Sequence, residues 1–348
     1  MPQFNLWVGG CSHVHTDIQH GRESFVEAID QSEHGGALGG PPFDWDTMLH
    51  LGDLTGEQGT PQDRHGEEVL RQLATSELHA REHFYNLLGN HDGSGPDEET
   101  QWWFRKWIDP TGENTAVSGV DNARRPYPVA GTWERYTIAV GNILIIMLAD
   151  RNDGGPPAGR AKSGGYPAGK VTRETFEWWK QTVEDSQDRI IITCHHHMLR
   201  DTTVASGFNE GIEGHYHGNF KDGAPEGSSY LYFVGDEPDS PAFTDYLAAN
   251  PGAIDLWLGG HTHANPEDTY GGRSHIQEKW GVTFVNCAAM TKHHVMQKTV
   301  PLTRLFTFTE GLDSTTVRCY LHTDDYAPQG WFDKVKRDVK LKHPFQPS

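Results

Sequence analysis

Five short stretches of this chain carry side chains able to hold metal ions: Gly10-Cys11-Ser12-His13, Gly52-Asp53, Gly89-Asn90-His91-Asp92, Cys194-His195-His196-His197 and Gly259-Gly260-His261-Thr262-His263. Neutral imidazole and carboxylate suit borderline divalent metals. Two histidines two residues apart, such as His261 and His263, can aim at adjacent ions from one turn, and a carboxylate such as Asp53 can bridge a pair. Two ions roughly 3.5–4 Å apart can hold a hydroxide and both changing oxygens of an in-line displacement.

Each stretch follows an apolar run that reads as a strand: Leu6–Val8, Met48–Leu51, Phe84–Leu88, Arg189–Thr193 and Ile254–Leu258. In open α/β sheets the edge just past the strand C-termini is where ligands bind. The glycines there permit tight turns and close backbone approach.

In this order, from residue 11 to 263, the stretches resemble the calcineurin-like metallophosphoesterases, whose pattern is Asp-x-His, Gly-Asp, Gly-Asn-His-Asp/Glu, a later His after a strand, then Gly-His-x-His. The resemblance implies an α/β fold, a four-layer α/β/β/α sandwich, and a pair of divalent or mixed-valence ions (Fe, Mn or Zn). It implies that Asp53 bridges both ions, that His13 and His263 complete the first site, and that Asn90, His195 and His261 complete the second. His91 would protonate the leaving oxygen or stabilise charge on the transferring group, with Asp92 orienting it. His196 is a candidate substrate contact and His197 a bystander.

Cys11 departs from the pattern, standing where the family has its first metal-binding Asp. Three readings are open. The Cys11 thiolate ligates and shifts preference toward iron or zinc; Asp17 supplies a carboxylate instead; or the first site is weakened. A thiolate–iron centre could also run redox chemistry.

The elements that must position these residues alternate. Helical patterns cover Glu23–Gln31, Glu67–Arg81 and Thr172–Asp185, the last with Phe176, Trp179 and Val183 on one stripe. Arg135–Val140 and Ile143–Leu148 flank Gly141-Asn142 as a hairpin. Further strands are expected at Val282–Asn286, Arg304–Phe308 and Thr316–Leu321. The strand–helix rhythm favours parallel-type sheets. No repeat or composition break marks a boundary, so residues 1–348 read as one domain with insertions near 93–132, 150–171 and 200–240, lengths typical of binding loops or lids. Those insertions hold Arg124, Arg125, Arg151 and Arg160, each able to clamp a phosphate. They also hold the loop histidines His215 and His217, and Trp102-Trp103, which read as core. His293 and His294 have no assignment.

Composition sets outer bounds. A formal charge of −19 over 348 residues argues against a general nucleic-acid binder and against docking on anionic membranes. No apolar run is long enough to span a bilayer and the start lacks a signal-peptide pattern, so a cytoplasmic protein is expected. Four cysteines without a CxxC pair suggest no disulfide framework, and Cys194, Cys287 and Cys319 read as small core residues. There is no Gly-x-Ser-x-Gly elbow, Walker loop or dinucleotide fingerprint. The expected function is hydrolysis of a small organic phosphate ester by a metal-bridging hydroxide, a diester slightly favoured over a monoester. The alternatives are a dimetal enzyme acting on a non-phosphate substrate and a non-catalytic scaffold that binds a partner.

Overall fold

The computed structural model describes residues 1–57, 59–95, 98–151, 169–207, 229–294 and 297–347. It is a mixed α/β structure built around two seven-stranded sheets. The first holds the parallel strands Gln3–Gly9, Thr47–His50 and Phe84–Asn86, extended from Gln3–Gly9 by antiparallel Leu302–Thr309 and Ser314–Leu321. The second runs in parallel through Ile143–Leu148, Ile190–His195, Leu256–Gly259 and Val282–Asn286. Antiparallel strands, Arg135–Val140 and Ile276–Lys279, flank that set. The parallel-type strands expected from the sequence rhythm form the centre of each sheet, and the expected hairpin at Arg135–Val140 and Ile143–Leu148 is among the antiparallel strands that make both sheets mixed. Where the connection is as short as Gly141-Asn142 the chain can only return antiparallel.

Burial follows the two-residue period of the strands. Leu6 and Val8 join Ile145, Ile192 and Leu258 in one core fed by both sheets. Trp7, on the opposite face, packs with Phe25 and Ile29 of helix Ser24–His34 and Val69 of helix Asp63–Leu73. On the second sheet Ile191 and Trp257 meet Phe176, Trp179 and Val183 of helix Arg173–Glu184 and Phe243 of helix Ala242–Ala249. Each such large apolar side chain contributes about 1.5–3 kcal/mol on burial. Cys194 and Cys287 lie in the core shared by the sheets, Cys319 in a smaller cluster, and all four cysteines are free thiols.

The helix expected over Glu67–Arg81 instead spans Asp63–Leu73. Thr75 ends it, its hydroxyl donating to the Gln72 carbonyl at 2.7 Å in place of a continued helical bond. In the 93–132 stretch Trp103 is fully buried and donates its indole N–H to Gln62 O at 3.0 Å, with Trp102 packed against the same cluster. Arg160, His215 and His217 lie outside the described residues. Among the described residues no helix is long and apolar enough to cross a membrane.

Candidate metal centre

Beyond the strand ends the loops go on pairing with each other. Cys11 N donates to Gly52 O at 2.8 Å, His13 N to Asp53 O at 3.2 Å, Gly260 N to His196 O at 2.9 Å and Cys287 N to Gly259 O at 2.7 Å. The lock holds side-chain-bearing residues in left-handed backbone: Cys11 at φ 48°, His13 at 43°, Asp53 at 59° and His261 at 65°. Such conformations cost of order 1–3 kcal/mol each and persist only where the surroundings over-determine them. Glycine is required where the loops touch. A Cβ on Gly89 would stand 2.2 Å from Asp53 N and 2.4 Å from Asp53 Oδ1, and one on Gly52 would stand 2.6 Å from Gly89 Cα.

At the centre four buried atoms converge. His196 Nε2 lies 3.0 Å from Asp53 Oδ2 and 3.0 Å from Asn90 Oδ1. His261 Nδ1 lies 3.2 Å from both Asn90 Oδ1 and His196 Nε2. His196 Nδ1 donates to Leu51 O at 2.6 Å, so in the neutral ring Nε2 carries a lone pair. That lone pair faces two oxygen acceptors and a second imidazole nitrogen, an arrangement that calls for a cation at the meeting point. Burial opposes charging His196, but the Asp53 carboxylate prevails and lifts it to about 9, so a proton on Nε2 plays the part of that cation where a metal ion does not. Asp53, despite its burial, is held well below the usual carboxylate range by His196 and His91.

The ring assigned from the sequence was His195, and here the structure differs. His195 ends its strand, with Nδ1 3.1 Å from His197 O and Nε2 without a hydrogen-bond partner among the described residues. Burial pushes it down to about 3. His196, expected as a substrate contact, is the ring of the three that meets Asp53, Asn90 and His261. His197, expected as a bystander, is buried against His261 with ring centroids 3.8 Å apart and pairs with buried Asp150 at 2.8 Å.

Also next to Asp53 is a second group, Cys11, His13 and His263, whose ligand atoms all lie within 4.8 Å of one another, with Cys11 also within 4.8 Å of His196. His13 Nε2 is 3.4 Å and Cys11 Sγ 4.0 Å from Asp53 Oδ2, the oxygen that also faces His196. Asp53 Oδ2 thereby touches members of both groups. The Cys11 sulfur accepts the His261 backbone N–H at 3.2 Å. Burial and the Asp53 charge push this thiol well up, so a thiolate here needs a neighbouring cation. Asp17 is no substitute ligand. Its carboxylate accepts from Thr291 Oγ1 at 2.8 Å and His293 N at 2.8 Å and pairs with Arg22. That clasp delivers a residue sequence reading left unassigned: His294, with Nδ1 3.1 Å from His13 Nδ1 and its ring 4.7 Å from that of His263.

His91 sits beside His13, ring centroids 5.1 Å apart, and its backbone N–H donates to Asp53 Oδ1 at 2.8 Å. Asp92 does not orient this ring. Its oxygens accept backbone N–H groups of Leu54 (2.9 Å), Thr55 (3.1 Å) and Gly89 (3.0 Å), and burial beside Asp53 pushes it up to about 7. The Glu57 carbonyl orients His91 instead, 2.6 Å from Nδ1, and the Glu57 carboxylate is in turn flanked by His15 at 3.4 Å and His65 at 3.6 Å. Burial pushes His91 down to about 4, leaving a neutral ring at pH 7.

Of the four arginines named as phosphate clamps, the three among the described residues are otherwise engaged. Arg125 is buried, donates to the carbonyls of Glu82 (2.8 Å), Phe84 (3.2 Å) and Pro110 (3.1 Å), and lies over Tyr85. Arg124 pairs with Glu82 at 3.3 Å and Arg151 with Glu134 at 2.9 Å.

The donor set of one carboxylate, one amide oxygen, several imidazoles and a thiol fits two borderline divalent ions. Comparison with known proteins agrees. The model of the family described as calcineurin-like phosphoesterase matches residues 13–265. No curated protein matches the chain significantly. Among solved structures the chain is similar to GAP50, the anchor in the inner membrane complex of Plasmodium, at 9% identity and TM-score 0.47, covering 99% of this chain and 90% of that one. It is also similar to a Vps29 single mutant from Entamoeba histolytica (14% identity, TM-score 0.35, 97% and 100% covered) and to Chaetomium thermophilum Vps29 (13%, 0.33, 99% and 98%). At these identities and scores the structural likenesses carry no functional argument. The family match spans well over half of the sequence and includes every candidate ligand except Cys11, and on that ground the chain belongs to the calcineurin-like phosphoesterases.

Proposed function

We propose that this protein is a dinuclear-metal phosphoesterase acting on a small organic phosphate, with a diester favoured over a monoester. The observation that carries the reading is the convergence of Asp53 Oδ2, Asn90 Oδ1, His196 Nε2 and His261 Nδ1, backed beside Asp53 by Cys11, His13 and His263. A metal pair held there would supply Lewis acidity toward the phosphoryl oxygens and acidify an attacking water. The chain's own residues do the rest. Asp53 meets both donor sets, and the interlocked loops hold them without reorganisation. His91 presents Nε2 from a ring whose Nδ1–H is held by Glu57 O; Nε2 takes a proton first, and the imidazolium so formed hydrogen-bonds the transferring group or passes that proton to the leaving oxygen. A neutral His91, with Arg124, Arg125 and Arg151 already paired, offers little to a second phosphate charge, which favours the singly charged diester.

His91→Ala should lower turnover by roughly 10²–10⁴-fold with metal content unchanged. Loss of metal together with activity would refute the role given to His91. A second reading, a dimetal enzyme for a non-phosphate substrate, draws on the Cys11 sulfur beside Asp53. Two ions per chain with no turnover across mono- and diesters would favour it.

A further inference from the structure

Away from the candidate metal centre, the strand Leu302–Thr309 carries a charge that is left without a hydrogen-bond partner among the described residues. Arg304 is fully buried, in register between Val8 and Cys319, and none of its three guanidinium nitrogens has a hydrogen-bond partner among the described residues. A buried, unpartnered ion costs several kcal/mol, so native proteins pair such groups. His275, Cys287 and Cys319, which feel the Arg304 charge, are neutral groups. His275 is pushed down to about 3 by burial, to which the Arg304 charge adds, and the Cys287 and Cys319 thiols are pushed up by burial.

Arg304 lines a cavity of about 230 Å³. Lys334, Arg337, Thr269 and Ser274 line it too. The one carboxylate among its described lining residues, that of Glu267, is taken up: it pairs with Lys334 and accepts the Tyr326 hydroxyl at 3.0 Å. His275 offers no acceptor to the guanidinium in compensation, since its ring nitrogens face the carbonyls of Asn265 (2.6 Å) and Asn286 (3.3 Å).

We propose that this cavity is a binding site for a small oxyanion, a phosphate- or carboxylate-bearing molecule, with Arg304 as its anchor and Arg337 and Lys334 at its sides. A planar guanidinium with all its donors unused matches two acceptor oxygens at once. The cavity is a second site, composed of none of the residues that converge on Asp53.

The test is thermal unfolding of the full chain, stripped of metal by chelator and dialysis, titrated with inorganic phosphate, sulfate or acetate against chloride at constant ionic strength. At a hundredfold excess over Kd the midpoint should rise by about 4 °C for a chain of this size, saturably. Phosphate or sulfate leading would mark a tetrahedral ligand and acetate leading a carboxylate. Arg304→Met should abolish the rise while its midpoint in chloride equals or exceeds that of the parent, because an unpaired buried charge has been removed. His196→Ala should keep the rise, which separates this cavity from the metal centre. No response to any of the three anions, or a response undiminished in Arg304→Met, overturns the proposal. Should Arg304→Met not fold, Arg337→Glu replaces it: a weakening of apparent affinity by at least about tenfold supports the site, and unchanged affinity rejects it.

Discussion

At His195-His196-His197 one residue of strand length decides which ring reaches Asp53. Ile190–His195 alternates faces, and Ile192 and Cys194 point into the core shared by the sheets. Counting in twos from these places His196, not His195, toward Asp53. The signal was in the sequence, but the apolar run reads as ending at Thr193, which makes the first histidine look like the ligand. His196→Ala should therefore lose about one equivalent of metal while His195→Ala keeps its complement, as elemental analysis of the purified variants will show. Equal losses would return the ligand role to an open question. Cys11 is tested by the same measurement. Cys11→Asp should move preference from iron or zinc toward manganese or magnesium, because a hard oxygen replaces a soft sulfur. If metal content and preference are unchanged in both Cys11→Asp and Cys11→Ser, Cys11 is not a ligand.

The elements show why part of the site was legible and part was not. Apolar runs ending in Gly-Asp, Gly-Asn-His-Asp and Gly-His-x-His announce strand ends, and the structure brings Asp53, Asn90, His261 and His263 together from just such ends. His294 gives no such notice. It lies on the short pair His293–His294 with Gln297–Lys298, and reaches His13 because Asp17 clasps residues 291–293 across the fold. No local pattern encodes a contact 281 residues apart. Asp17→Ala should cost about 3 kcal/mol, the order expected for breaking a buried pair with Arg22 and stranding its backbone donors; equilibrium denaturation measures it, and a loss below about 1 kcal/mol would contradict the clasp. Gly89→Ala should abolish metal binding even where the chain folds, since a Cβ cannot share space with Asp53 N and Oδ1. Retained metal in that variant would show the turn to be less confined than described.

Over the whole molecule, burial of neutral histidines sets the acid limit of stability. His275 and His322 are fully buried, and burial, assisted by Arg304 and Arg22 respectively, pushes each down to about 3. Unfolded, each titrates near 6.5, so between about pH 6.5 and 3 the unfolded chain binds protons that the folded chain refuses. The contribution of these two histidines is then fullest above pH 6.5 and falls with acidity, about 1.4 kcal/mol per pH unit for each. Urea unfolding at pH 8 and pH 5 should show the decline, and His322→Gln should make it shallower; a slope unaltered by that change would argue against a neutral buried His322. The overall α/β class was legible because period-two and period-3.6 patterns alternate cleanly. The mixed strand directions were less so, since direction depends on how each connection returns rather than on the strand itself.

The central claim, a two-metal phosphoesterase centre joined at Asp53, is tested most directly by metal stoichiometry paired with turnover. Freshly purified protein should hold about two ions per chain and hydrolyse members of a phosphoester panel, diesters ahead of monoesters, with Asp53→Asn losing both metal and activity. A metal-free protein that remains inert after addition of Fe, Mn or Zn would contradict the account and leave the non-catalytic scaffold as the better reading.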